Sequence, residues 1–579
     1  MRGKGIFLLL ALMVAGCQES EPRQPPLMEA RALLERGDGL GGEIALRRLL
    51  DGGTPDEELA AYLGQAELLQ GNTGAARRWL EEGAFSADTR GHGFRMLGRL
   101  EMAEGNLAAA GSAFDRALQS MPDDPELWVD IGRLRYRGGE QSQAVDASKK
   151  AVDLGPQNVV ALTFRGQLVR DAYGMEAALP WFEAALEIEP SDADVLAEYA
   201  ATLGELGRTR EMLSTTRDLA AATPGDSRVP LFQAVLAARA GEFGLAHDIL
   251  GRGADPRRMS AAGALMAAVA DLEAGNPASA AQTFDRLLRA QPDNRRLRHL
   301  LVRALHLAGN DRELVYRFAD DARSESADRY LVQMVGRAYE ALGERKSAAP
   351  FLERATQDSA NGLVVLRSTI PPDVAAARGG GTGAETRNLV RALIGDGRSK
   401  AAVAAAEAFR SRVAGSADAA GLAGDAYLAA GQPKAALDRY RAAAEIRRPW
   451  PLVRRMVAAL NAVDSRAEAA WLVDSQLASE PANREALAMA AWMAFDSGWI
   501  ERGQALLRRA IELGGSRDPV LLSLAADRAL RSGEQDEAMR FAMKAYRLQR
   551  RNAAAGRALA QALRATGNGA AADAVQAGS

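Results

Sequence analysis

The sequence predicts an all-α fold in which helical hairpins repeat along the chain and stack into an α-solenoid. Three observations predict it. Prolines 122, 156, 190 and 224 are spaced by 34 residues each time, and a fixed period of that size marks one supersecondary unit copied many times. Small residues keep the same period, as Gly98, Gly132 and Gly166 and again as Ala110, Ala144 and Ala178, so the copies share one internal design. Only 5% of the 579 residues are aromatic while alanine is abundant, a balance suited to helices in close approach rather than to sheets.

Each copy reads as two antiparallel helices. With Gly91 as position 1, Leu97-Gly98, Gly105, Ala110, Phe114, Ala117 and Pro122 fall at positions 7, 8, 15, 20, 24, 27 and 32. Small residues at 8 and 20, one per helix, let the pair approach closely, and glycine near 15 accepts the positive φ that ends the first helix. Phe114 with Ala117, like Phe182 with Ala185, forms an i, i+3 stripe expected to face the following hairpin. Proline at 32 ends the second helix, and the acids and amides of Pro122-Asp123-Asp124 and Pro292-Asp293-Asn294 suit the cap of the next one. No unit buries its apolar face alone, so stability must come from stacking.

The next two copies carry Trp128, Ile131-Gly132, Gly139, Ala144, Ala151 and Pro156, then Gly166, Ala178, Phe182, Ala185 and Pro190. An earlier one is marked by Gly64, Gly71 and Ala76, and later ones by Gly207, Gly241, Gly275 with Phe284, Gly336 with Gly343, and Gly424 with Tyr440. Weaker copies run through Gly397, Ala469, Gly498 and Gly533 to a truncated end near Gly567, a dozen or more in all. Ser359 to Gly383 breaks the phase and holds Pro371-Pro372 and Gly379-Gly380-Gly381. It is expected to be an irregular connector between a first block, 27–358, and a second, 384–579. Gly379, Gly381 and Ala384 spell G-x-G-x-x-A, but no strand precedes them, so the phosphate-binding context is missing.

The repeat resembles the tetratricopeptide repeat. The resemblance implies a right-handed superhelix whose first helices line a concave groove through positions 2, 5, 9, 12 and 13. It places Arg95, Arg99, Arg133, Tyr136, Arg137, Arg170, Arg303 and Arg337 on the inner wall, with Arg296, Arg387 and Arg391 in the same register. Arginine suits planar, bidentate recognition of carboxylates, so the expected ligands are peptide carboxylates or an acidic polysaccharide. The Lys and Asn clamp with which some family members hold chaperone tails is not spelled here.

The amino terminus carries a second signal. Arg2 and Lys4 precede an apolar run, Ile6 to Val14, and Ala15-Gly16 stand before Cys17, the three zones of an export signal. Val14-Ala15-Gly16-Cys17 resembles the lipobox of bacterial lipoproteins, which implies a signal peptide at 1–16, lipid attachment at Cys17 and a polar, Pro-rich tether at 17–26. The apolar run is too short to span a membrane. Gln18 after the cysteine implies, by the same resemblance, the periplasmic face of the outer membrane. Loss of Arg2 and Lys4 takes 72 basic residues to 70 against 75 acidic ones, moving the net charge from −3 to −5.

That charge excludes a nucleic-acid partner bound through a basic excess. One cysteine and four scattered histidines, His92, His247, His299 and His306, supply neither a metal ligand set nor a disulfide framework. His299 and His306 share a helix face without a third ligand. No phosphate loop, H-E-x-x-H or G-x-S-x-G occurs, so no enzyme, cofactor or metal is expected. The opening Met28-Glu29-Ala30-Arg31-Ala32-Leu33-Leu34 with Ile44-Ala45-Leu46-Arg47-Arg48 resembles lipoproteins that accompany exosortase (PEP-CTERM) and exopolysaccharide loci. The resulting expectation is a scaffold binding other envelope proteins, with an acidic-polysaccharide chaperone as the alternative.

Overall fold

The computed structural model describes residues 26–81, 84–252, 260–324, 327–356, 371–377, 382–550 and 552–578. The signal peptide, Cys17 and the tether up to residue 25 lie outside the described residues. Pro26, assigned to the tether, instead opens the helix Pro26–Glu35. Among the described residues are 33 α-helices and no strand.

All but one of these helices pair into hairpins, and the backbone records the repeat more faithfully than the side chains do. Left-handed glycines end the first helices at Gly37, Gly71, Gly105, Gly139, Gly174, Gly207, Gly241, Gly275, Gly309 and Gly343, then at Gly397, Gly431, Gly498, Gly533 and Gly567. No L side chain adopts this conformation cheaply. The turn therefore selects glycine even where the rest of the repeat has drifted. The first hairpin, Pro26–Glu35 with Gly39–Asp51, belongs to the same series. Gly343 and Gly397 are out of phase, and between them the helix Pro372–Ala377 lies inside the expected connector; residues 359–370 and 378–381 are outside the described residues.

One turn breaks the rule. Asp464 occupies the glycine position with φ 60°, the only non-glycine positive φ among the described residues. Asp464→Gly should raise the stability of the hairpin Trp450–Ala462 and Arg466–Ser479 by about 1 kcal/mol, read as slower amide exchange in both helices. Faster exchange would mean that the 3.3 Å contact from Arg466 Nε to Asp464 Oδ1 matters more than the backbone strain.

Inside a hairpin the small residue at position 8 lies under the large one at position 24. A Cβ on Gly98 would come within 2.3 Å of the Phe114 ring, one on Gly166 within 2.7 Å of Phe182, and one on Gly424 within 2.4 Å of Tyr440. The aromatic stripe thus packs on its own hairpin, not only on the following one. Caps form as the sequence implies, with Asp124 Oδ1 accepting from Leu127 N–H at 2.8 Å and Asn294 Oδ1 from Leu297 N–H at 3.2 Å.

The chain forms two compact units, Met1–Leu134 and Arg135–Ser579. The division falls within the helix Pro125–Arg137. In the first unit apolar clusters run from Ala30 to Ala66 and from Ala60 to Leu134. In the second the largest runs from Ala268 to Ala355, and another from Ala417 to Ala490. Repeats on either side of the connector touch each other within this second unit: Arg447 Nη1 reaches Asp171 Oδ2 at 3.0 Å. No described helix is long and apolar enough to cross a membrane.

Candidate binding surface

Residues 26–134 bring polar first-helix side chains together around one acid. Asp130 is 1% exposed, and its Oδ2 accepts from Arg95 Nε and Arg99 Nε, each at 2.7 Å. Arg133 stands 3.8 Å from its other oxygen. Arg95 also donates to Glu126 at 2.8 Å. Burial pushes the Asp130 carboxyl up, but Arg99 and Arg95 outweigh it and hold it below the usual carboxylate range. Arg95, expected to face the groove, is instead 5% exposed and fastens one hairpin to the next; the Arg99 and Arg133 side chains are partly exposed, 32% and 41%.

Beside this cluster the Arg31 guanidinium lies 5.4 Å over the Tyr62 ring, and Tyr62 stacks on His92 at 5.0 Å. His92 Nε2 is 2.8 Å from Gln65 Oε1, so that nitrogen donates to the amide oxygen. Burial, then Arg95, Arg99 and Arg31, push the His92 pKa down to about 3, with only Asp130 acting against them. Burial does most to keep the ring neutral, and the neighbouring guanidinium groups add to it.

Residues 135–579 use the same face differently. Tyr136 OH donates to Asp171 at 2.6 Å, and burial followed by this bond pushes its pKa up to about 12. Arg137 is exposed. Arg170 donates to Thr202 Oγ1 at 2.9 Å and pairs with Glu198 at 2.7 Å, Arg303 pairs with Glu273 at 3.2 Å, and Arg337 donates to the Arg547 carbonyl at 2.8 Å. Arg296 is exposed, and burial lowers the pKa of Arg391. His299 and His306 each hold their own carboxylate, Asp328 at 2.7 Å and Asp311 at 2.6 Å. No group of residues suited to a metal occurs among the described residues.

A regular pattern underlies these pairs. Position 9 of one hairpin meets position 6 of the next, as Arg99 with Asp130 and as Gln167 with Glu198 at 2.9 Å. In Asp425 with Arg455, at 2.9 Å, the polarity is reversed. The stacking of first helices sets this spacing.

Residues 95–159 and 265–313 match the tetratricopeptide-repeat family model. These two stretches carry tetratricopeptide repeats. Solved structures share hairpins of this kind at low identity. A tetratricopeptide repeat protein from Parabacteroides merdae is 16% identical, over 48% of this chain and 97% of its own, with a TM-score of 0.33. PilW, a type IV pilus biogenesis factor, is 16% identical over 36% and 98%, with a TM-score of 0.32. The Cut9–Hcn1 hetero-tetramer of the APC/C is 12% identical over 90% and 99%, with a TM-score of 0.34. No curated protein matches the chain.

The acids on first helices, Asp130, Asp171 and Asp425, and the ring pair Tyr62 and His92 were not legible as site residues from the sequence. The signal was present for Asp130, which stands 31 residues after Arg99, one repeat less three. An inward arginine acquires meaning only with the acid placed one hairpin further on.

Proposed function

We propose that the chain is a non-enzymatic scaffold of the bacterial envelope, anchored by lipid at Cys17 on the periplasmic face of the outer membrane, which holds acidic segments of partner proteins against the first helices of residues 26–134. Tetratricopeptide repeats imply protein–protein interaction; the observation that favours an acidic partner is the gathering of Arg95, Arg99 and Arg133 around Asp130, with Arg31 over Tyr62 beside them. Arg99 and Arg133 are the partly exposed cations of that wall, and their fields add there while isolated surface charges are screened within about 8 Å. The same wall would suit an acidic polysaccharide, and exopolysaccharide export or surface-protein sorting is the setting that the sequence resemblance suggests.

Affinity capture from detergent extract tests this. Arg99→Glu/Arg133→Glu should lose partners that wild type retains, whereas Arg508→Glu/Arg509→Glu, at exposed second-helix positions, should keep them. Capture that survives glycosidase supports the scaffold; capture abolished by glycosidase supports the polysaccharide chaperone. Equal capture by all three proteins refutes binding at this wall. Cys17→Ser should leave the protein without fatty-acid label and free of the membrane pellet, and a mutant that stays labelled refutes the anchor.

A further inference from the structure

Within residues 135–579, stretches far apart in sequence meet through polar contacts. At one station Ser142 N–H donates to the Gly415 carbonyl at 3.0 Å and Arg448 N–H to the Ala172 carbonyl at 2.7 Å, while Gln141 Oε1 accepts from Ala417 N–H at 3.0 Å. At another, Gln333 donates to the Leu548 carbonyl at 3.0 Å and Arg337 to the Arg547 carbonyl at 2.8 Å. None of the described apolar clusters crosses between these stretches: one ends at Ala355, and those after the connector begin at Val390. Polar contacts of this sort largely exchange bonds to water for bonds to protein.

The second station borders an open cleft of about 330 Å³, at the small end of the range for small-molecule sites. It is lined by Arg337, Arg345 and Arg550 with a single acidic residue, Glu340, and by His306 and Gln549. Arg345 and Arg550 are exposed, and neither has a carboxylate partner among the described residues. Burial, then Arg550 against the opposing pull of Glu340, holds the Arg337 guanidinium below its usual pKa. Cations converge here from two stretches of chain, Arg337 and Arg345 from one and Arg550 from the other, without enough anion to balance them.

We propose that this cleft binds a small polyanion through clustered phosphate or carboxylate oxygens, and that the bound anion latches residues 535–550 onto the hairpin 329–356. Arginine's planar fork fits both kinds of oxyanion. A ligand bridging the two stretches stabilises the closed arrangement in proportion to its occupancy. No bond is made or broken.

The test titrates the full chain with pyrophosphate and, separately, with citrate at constant ionic strength, reading heat and amide exchange. At least one should bind saturably and slow exchange at residues 333–337 and 548–550. Arg345→Glu and Arg550→Glu should each weaken that binding about tenfold or more, and Arg508→Glu should leave it unchanged. Preference for pyrophosphate or for citrate identifies the oxyanion and upholds the site. Absence of saturable binding by both probes overturns the proposal, as does equal weakening by Arg508→Glu. Binding without added protection at residues 548–550 overturns the latch.

Discussion

Asp130→Ala should destabilise the stack of residues 26–134 by about 3–5 kcal/mol, the loss expected when one partner of a buried ion pair is removed. Asp130 is 1% exposed and holds Arg95 and Arg99 at 2.7 Å. The Arg95 side chain is itself 7% exposed, so without the acid it keeps Glu126 but loses its inner partner where water does not replace it. Amide exchange of peptides from residues 26–134 in the full chain is the measurement, because repeat arrays open locally and one melting temperature would average over them. Asp320, whose side chain is 94% exposed, is the control. If Asp130→Ala accelerates exchange no more than Asp320→Ala does, the acid at position 6 does not fasten the hairpins.

The same cluster sets a pH dependence. Asp130 titrates below its ordinary value when folded, so its contribution is complete above about pH 4 and is lost as the pH falls through the depressed folded value. His92 acts earlier. Its folded pKa is about 3 against 6.5, so the unfolded chain takes up the proton first. Stability therefore drops from about pH 6.5 downward, by at most about 1.4 kcal/mol per pH unit. His92→Gln should flatten that earlier limb and leave the later one, which separates the two groups.

Much of the fold was legible because one requirement, the left-handed turn at position 15, admits few residues and so survives drift. Gly37 to Gly343 and Gly397 to Gly567 carry that register through copies in which little else is kept. Pairings between hairpins leave a weaker trace in the sequence. Arg95, Arg99 and Arg133 recur in the sequence register of the first helices, whereas the acid they share, Asp130, is found only through the stacking of one hairpin on the next. The Asp425 and Arg455 pair shows the same contact with the residue types exchanged, which a search for inward arginines misses. Contacts such as Arg447 with Asp171 join positions 276 apart, and no local period announces them. They depend on how the repeats curve, a sum of small rotations that no single repeat specifies.

Gly98→Leu should cost about 3 kcal/mol, near the upper end for overpacking, because its Cβ alone would stand 2.3 Å from Phe114 Cε1 and 2.5 Å from Cδ1. The ring has no free space to retreat into, since Phe114 is 1% exposed and Ala110 and Ala117 beside it on the same helix are fully buried. Phe114→Ala alone should cost about 3–5 kcal/mol through the cavity it leaves. Because each change answers the other's defect, the double variant Gly98→Leu/Phe114→Ala should lose less than the sum by about 1 kcal/mol or more, the mark of residues in contact. Arg133→Ala, a substitution of a side chain 41% exposed, should stay within about 0.5 kcal/mol. Amide exchange in the helices Arg90–Glu104 and Leu107–Ser120 reads all four. Strict additivity of the first two would show that Gly98 and Phe114 do not meet, and the assignment of position 8 to position 24 within each hairpin would have to be abandoned.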